Sequence, residues 1–468
     1  MSVFWTVING LATFVMAFSA AYFFLNVGMG LSQLRKDRTT LRFQSHFEYG
    51  RPFVSTEGPL ATDYNIFFII ACLNEQAVIS STVRGLLSPG GQKRIVVIDD
   101  ASDDATGELA LVAGEGQVTL VRRELPEARL GKGAALNSGF ATIVREVERE
   151  GLDPAKVIIC VMDADGQLSN GTLAEVLPLF DDAEVGGVQL AVRIRNRAKN
   201  FLLRFQDYQF WSQSALTQFG RVRTNSVSLG GNGQFARLSA LLQVGVRPWS
   251  GSLTEDLDLT VSLAAMGWKT SSTPRAAVDQ QGVEKFGPLL KQRTRWYQGH
   301  MLTAKRIPEI LRSAKMGHAA AVEMTLYILV PWIFDLPWSI LYHLVLVELF
   351  LSLSSISIFE WGAASLALYL VVWYLLGFWP AILTAVIAFR RDHTLGLWGA
   401  VKMGHAFVIT NYLSYACVWR ALFRILRHEN GWTKTARSAE RPISAREARE
   451  AREAREAREV KAVREARS

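Results

Sequence analysis

Val157-Ile158-Ile159-Cys160-Val161-Met162-Asp163-Ala164-Asp165-Gly166 is a run of six apolar residues that ends in two carboxylates one residue apart. An uninterrupted apolar run of this length, rich in β-branched residues, reads as a strand buried on both faces, the kind found in parallel sheets. Working outward, Asn65–Cys72, Arg94–Ile98, Val118–Arg122 and Gly186–Val192 have the same character, and segments such as Ala77–Leu87 and Lys132–Val147 carry helical spacing between them. Strands alternating with helices over residues 65–285 predict an α/β domain with a mixed, mostly parallel sheet covered on both faces. Ligands in such sheets gather beyond the carboxyl ends of the strands, which is where Asn74-Glu75, Asp99-Asp100 and Asp163-Ala164-Asp165 fall.

The flanks differ in kind. Phe4 to Leu31 is apolar without a charge, long enough to cross a bilayer core, and Arg35, Lys36, Arg38 and Arg42 follow it. Basic residues collect on the cytoplasmic side, so residues 1–34 read as a transmembrane helix, 35–64 as a cytoplasmic linker, and the α/β domain as cytoplasmic beneath an inner (plasma) membrane. Residues 286–317 read as interfacial helices and 318–425 as a region of about three spans. Pro331, Asp335 and Pro337 interrupt the first of these spans, as either a kinked helix or a tight hairpin, and Leu395–Met403 reads as a short interfacial piece. Residues 426–468 form a charged tail with five Ala-Arg-Glu triplets from Ala445 to Glu459, whose period of three gives no packing face.

With 49% hydrophobic residues and a net charge of +8, a soluble domain joined to membrane helices is the expected architecture. No zinc-ligand spacing or nucleic-acid-binding signature accompanies the positive charge, so nucleic acid is not an expected partner. Cys72, Cys160 and Cys417 lie in apolar stretches and read as buried thiols rather than a disulfide framework.

Two carboxylates at a strand end suit a hard divalent cation, which takes oxygen ligands and shares them with a diphosphate and water. The same residues taken alone also make an ordinary capping turn. Lys132, in Gly131-Lys132-Gly133, offers an ammonium to a phosphate or ribose, or is a solvated loop residue. Thr254-Glu255-Asp256-Leu257-Asp258 reads either as a capping box at a helix start or as the position of a general base for an acceptor hydroxyl. In Gln292-Arg293-Thr294-Arg295-Trp296, Arg295 can pair with diphosphate oxygens, Trp296 can stack on a sugar, and Gln292 lies one turn earlier; interfacial anchoring is the alternative.

In order, Asn74-Glu75, Asp99-Asp100, Gly131-Lys132-Gly133, Asp163-Ala164-Asp165, Thr254-Glu255-Asp256 and Gln292-x-x-Arg295-Trp296 resemble the motif series of the inverting family-two glycosyltransferases. The membrane-integrated processive branch is the nearest match: poly-N-acetylglucosamine, hyaluronan, chitin and cellulose synthases. The resemblance implies a GT-A-type nucleotide-sugar domain and hexosyl transfer from a donor, expected to be a UDP-sugar, to a growing polysaccharide coupled to export. A glycolipid synthase and a non-catalytic envelope subunit are the alternatives. It further implies donor binding by Asn74, Glu75, Asp99, Asp100, Lys132 and Asp163, with Mg²⁺ or Mn²⁺ on Asp163 and Asp165. Asp256 would be the catalytic base, with Glu255, Gln292, Arg295 and Trp296 gating acceptor and diphosphate. Gly230-Gly231-Asn232-Gly233 matches a glycine-bearing segment near the acceptor. Ala71 stands where the family usually has Pro, and no Phe-x-Val-Thr gating loop is found, which lowers cellulose as the product.

Overall fold

The structure is a computed structural model that describes residues 2–36, 63–87, 93–355, 358–391, 395–429, 431, 449 and 453. The linker read over 35–64 therefore falls almost wholly outside the described residues, as does most of the charged tail.

Eight strands form one sheet: β1 (Asn65–Cys72), β2 (Lys93–Asp99), β3 (Val118–Arg122), β4 (Val157–Met162), β5 (Gln167–Leu168), β6 (Val185–Ile194), β7 (Gln234–Arg237) and β8 (Lys269–Gln280). Their order is β3-β2-β1-β4-β7-β6-β8-β5. The first four are parallel neighbours, β7 runs antiparallel to β4 and β6, and β8 is parallel to β6. Successive side chains of a strand face opposite sides. Phe67, Ile69, Val96 and Ile98 accordingly pack on Leu136, Phe140 and Ile143 of helix Lys132–Glu150. Phe68, Ile70 and Val97 face the other way, onto Ile79, Val83 and Leu109 of helices Ile79–Leu86 and Thr106–Gly114. Cys72 pairs with Asp99 and Ile70 with Met162, so β1, β2 and β4 end together and place their polar termini on one edge.

Outside the sheet, helix Ser2–Lys36 docks on helix Ala215–Arg221 of the α/β domain. The backbones touch: a Cβ at Gly30 would lie 2.2 Å from Leu216 O, and one at Gly220 2.4 Å from Asn26 O. Among the described residues two stretches, Val3–Arg35 and His318–Glu348, are long and apolar enough to cross a membrane. The interruption at Pro331 is a π-helical turn, Pro331–Asp335, joining helices His318–Val330 and Leu336–Ser355, which makes it a bulged continuous helix and not a hairpin. Leu395–Met403 is not a separate interfacial piece, since Leu397–Leu426 is a single helix.

Candidate active site

The polar strand ends line a cavity of about 480 Å³, walled by the sheet edge, the segment 228–232, the start of helix Glu255–Ala265 and helix Phe286–Thr303. Glu75, Asp100, Lys132, Asp163, Glu255, Asp256, Gln292, Arg295 and Trp296, which are scattered over more than 200 positions of sequence, all line it.

Other candidates lie elsewhere. Asn74 is exposed and clips two loops: Asp103 N donates to its Oδ1 at 2.7 Å, and its own N donates to Ser102 Oγ at 2.9 Å. Asp99 is fully buried, accepting from Ser102 N at 2.8 Å and pairing with Arg122 at 3.1 Å. The sequence left Asp99 and Asp100 equivalent; the structure turns Asp100 to the cavity, with Arg123 as its ion-pair partner. Burial holds the Asp100 carboxyl above its ordinary pKa despite that partner. Asp165 is likewise buried off the cavity lining, its Oδ2 accepting from Gln281 N at 2.8 Å. The capping box read at Thr254 does not form, since helix Glu255–Ala265 has no side-chain cap bond from Thr254.

The cavity floor is a charge cluster. Lys132 Nζ donates to Asp163 Oδ1 at 2.5 Å and to Gly231 O at 2.6 Å. Burial opposes the charge on Lys132, but Asp163, Glu255 and Asp256 around it outweigh that and hold its pKa above the usual lysine value. Burial also raises the pKa values of Glu255 and Asp256, adjacent carboxylates that repel one another, with Lys132 and Arg295 opposing the rise. Asp256 Oδ1 accepts from Leu257 N at 2.8 Å, which fixes its orientation. A buried carboxylate with a raised pKa can take a proton near neutral pH, and the cations beside it can stabilise charge on a departing diphosphate.

A divalent cation fits the chemistry of this edge in one respect: Mg²⁺ is commonly held by one or two carboxylates plus substrate phosphates, and Asp163 is such a carboxylate at the cavity. Among the described residues there is no cluster of three or more His, Cys, Asp or Glu poised around a metal.

Apart from Asn232, which lies in the glycine-bearing segment read near the acceptor, several wall residues had escaped sequence reading. Asn232 Oδ1 accepts from Asp163 N at 3.1 Å, and Gln189 holds the glycine segment from behind, donating to Asn232 O at 2.8 Å and accepting from Gly230 N at 2.7 Å. A glutamine inside an apolar strand was the available signal. Phe210, on a π-helical turn (Tyr208–Ser214), meets Trp296 edge to face at 6.0 Å. Tyr327, on helix His318–Val330, meets His300 at 4.6 Å with the rings tilted by 50°, so the long apolar helix contributes a wall. His300 Nε2 donates to the Tyr327 backbone carbonyl at 2.8 Å, and burial lowers the pKa of its ring to about 4, keeping it neutral.

A sequence profile described as glycosyltransferase-like family 2 matches residues 64–299. Over 300 residues the chain is 31% identical to a beta-monoglucosyldiacylglycerol synthase of Trichormus variabilis, covering 62% of this chain and 58% of that one. Over 238 residues it is 29% identical to a poly-beta-1,6-N-acetyl-D-glucosamine synthase of Staphylococcus aureus, covering 50% and 54%. The chain thus spans a little over half the length of these curated relatives. A mannosyltransferase from Pyrobaculum calidifontis, solved with GDP-Man and Mn²⁺, superimposes at a TM-score of 0.50 and 18% identity over 90% of this chain and 100% of that one. The shared architecture is the GT-A-type fold expected from sequence, with its mixed, mostly parallel sheet.

Proposed function

The chain belongs to glycosyltransferase-like family 2, and from that premise we propose that it transfers a sugar, with inversion, from a nucleotide sugar to an acceptor presented at the membrane. The observation that carries this reading is the single cavity, in which the carboxylate-lined sheet edge meets Tyr327 of a membrane-length helix. Glu75 and Asp100 hold the nucleoside end of a UDP-sugar; Lys132 and Arg295 face its diphosphate. Asp163 would hold Mg²⁺ or Mn²⁺, with Asp165 behind it, and such an ion would offset the negative charge of the leaving diphosphate. Asp256 accepts the proton of the acceptor hydroxyl as that oxygen bonds to the anomeric carbon and the bond to the diphosphate breaks. Trp296 offers a face to the acceptor, and Gln292 lies a turn away on the same helix.

The product on this reading is a glycolipid, in keeping with the beta-monoglucosyldiacylglycerol synthase relative. A growing polysaccharide is the second reading, favoured by the poly-beta-1,6-N-acetyl-D-glucosamine synthase relative and the Gln-x-x-Arg-Trp segment. The basic residues after the first apolar helix support a cytoplasmic site. Full-length protein incubated with labelled nucleotide sugars and Mg²⁺ or Mn²⁺ should release nucleoside diphosphate and yield one lipid-extractable species. A high-mass ladder selects the polymer; no release from any donor means a non-catalytic subunit.

A further inference from the structure

Two cations of the cavity wall are left unused by the mechanism, Arg129, which pairs with Asp103 at 2.6 Å, and Arg293. The Arg293 guanidinium lies beside two rings that contact each other, 4.9 Å from Phe210 and 4.6 Å from Trp296, and donates a hydrogen bond to Gln209 Oε1 at 3.3 Å. A guanidinium has five N–H donors. Among the described residues no carboxylate pairs with it, and its Nε is enclosed without a partner. Burial lowers its pKa to about 10, a value that still leaves it charged at neutral pH. The other cations of the cavity are differently placed: Lys132 is paired with Asp163, Arg129 with Asp103, and Arg295 faces Glu255 and Asp256.

Arg293 is half-buried on the cavity wall with its Nε enclosed, and a charge drawn partly out of water is costly unless paired; stacking on rings offsets only part of that cost. The missing partner is an anion. Its chemistry follows from the surroundings: Tyr297 and Cys417 lie beside Arg293, and they join Leu289, Leu290 and Leu413 in an apolar cluster between helices Phe286–Thr303 and Leu397–Leu426. An anion arriving there comes attached to an apolar body. Resting on the reading of the cavity as a sugar-transfer site, we propose that Arg293 is the anion-recognition residue of the acceptor subsite, taking the phosphate oxyanion of a membrane lipid. The planar fork suits bidentate phosphate contact, and the aromatic pair beside it orients it. The enzyme on this account selects phosphate-bearing lipid acceptors over uncharged ones.

The test uses the full chain in micelles of an uncharged, phosphate-free polyoxyethylene detergent, with dodecyl phosphate and dodecanol as matched probes. Wild type should bind dodecyl phosphate at least ten times more tightly than dodecanol; Arg293→Gln should erase that preference, and Arg293→Lys should restore part of it. Equal affinity of wild type for the two probes overturns the proposal, as does a preference that survives Arg293→Gln. If Arg293→Gln weakens UDP as much as dodecyl phosphate, the residue serves the donor and the proposal fails. Inorganic phosphate displacing dodecyl phosphate at equal concentration overturns the lipid assignment. Should Arg293→Gln not fold, the wild-type comparison and Arg293→Lys decide. Nucleoside diphosphate release by wild type is read in parallel: its absence sinks the sugar-transfer reading, whereas release without phosphate preference sinks only this one.

Discussion

Gly230 and Gly231 are neighbours on one segment, yet the same added methyl group meets different surroundings at each. At Gly231 an alanine Cβ would lie 2.8 Å from Lys132 Nζ, 3.5 Å from Asp256 Oδ2 and 3.8 Å from Glu255 Oε1. At Gly230 its nearest neighbours are Gln189 side-chain atoms at 3.6 Å, an ordinary contact. Neither glycine has a positive φ, so alanine strains neither backbone. To restore a normal contact at Gly231, the Lys132 ammonium must retreat by about 0.7 Å. Its 2.5 Å contact with Asp163 then lengthens to about 3.2 Å, which at an effective dielectric of about 20 weakens the pair by about 1.5 kcal/mol. That corresponds to a loss of about tenfold in turnover or donor affinity. The assay is metal-dependent nucleoside diphosphate release, with melting temperature as the check on folding. Gly231→Ala should lose about tenfold and Gly230→Ala clearly less, both melting within about 2 °C of wild type. Equal losses in the two variants, or full activity in Gly231→Ala, would refute the placement of Lys132 at the centre of the site.

Asp256→Asn should lower transfer by about 10²- to 10⁴-fold while UDP still binds, whereas Asp163→Ala should weaken metal-dependent donor binding itself; retained activity in both would remove the assigned roles. The raised pKa values of Glu255 and Asp256 place the acid limb of the kcat/KM profile above the ordinary carboxylate range, and a limb near pH 4 would contradict this. The folded chain holds protons there that the unfolded chain has released, so this pair's contribution to stability falls as pH rises from the ordinary carboxylate pKa to the raised one, while activity climbs. Glu323 accepts from Arg221 Nε and Ser226 Oγ, both at 2.6 Å, in a buried group that also holds Tyr22 of the first helix. Glu323→Gln should destabilise by about 3 kcal/mol in thermal or denaturant unfolding, and the double change Arg221→Met, Glu323→Leu should recover most of it.

Local chemistry made the sheet centre and several cavity residues legible in the sequence. β1, β2, β4 and β6 are apolar runs that need burial on both faces, and carboxylates that follow such runs must emerge at a sheet edge, whereas β3, read the same way, is an edge strand without a fully buried residue. β7 and β8 were not legible, because Gln234 and Arg237 are buried polar residues and Pro274 sits at a register shift of β8. Only tertiary packing separated Asp100 from Asp99, since the register that sets Asp99 opposite Arg122 on β3 leaves the next residue at the cavity. It likewise buried Asp165 against Gln281, tied Asn74 to the loop at Ser102, and brought Arg293, His300 and Tyr327 to one wall. A motif states which groups a short segment carries, whereas the direction each group faces depends on partners far away in the chain. Sequence therefore determined the family and the domain's core, and the packing of distant segments decided which carboxylates and cations share the cavity.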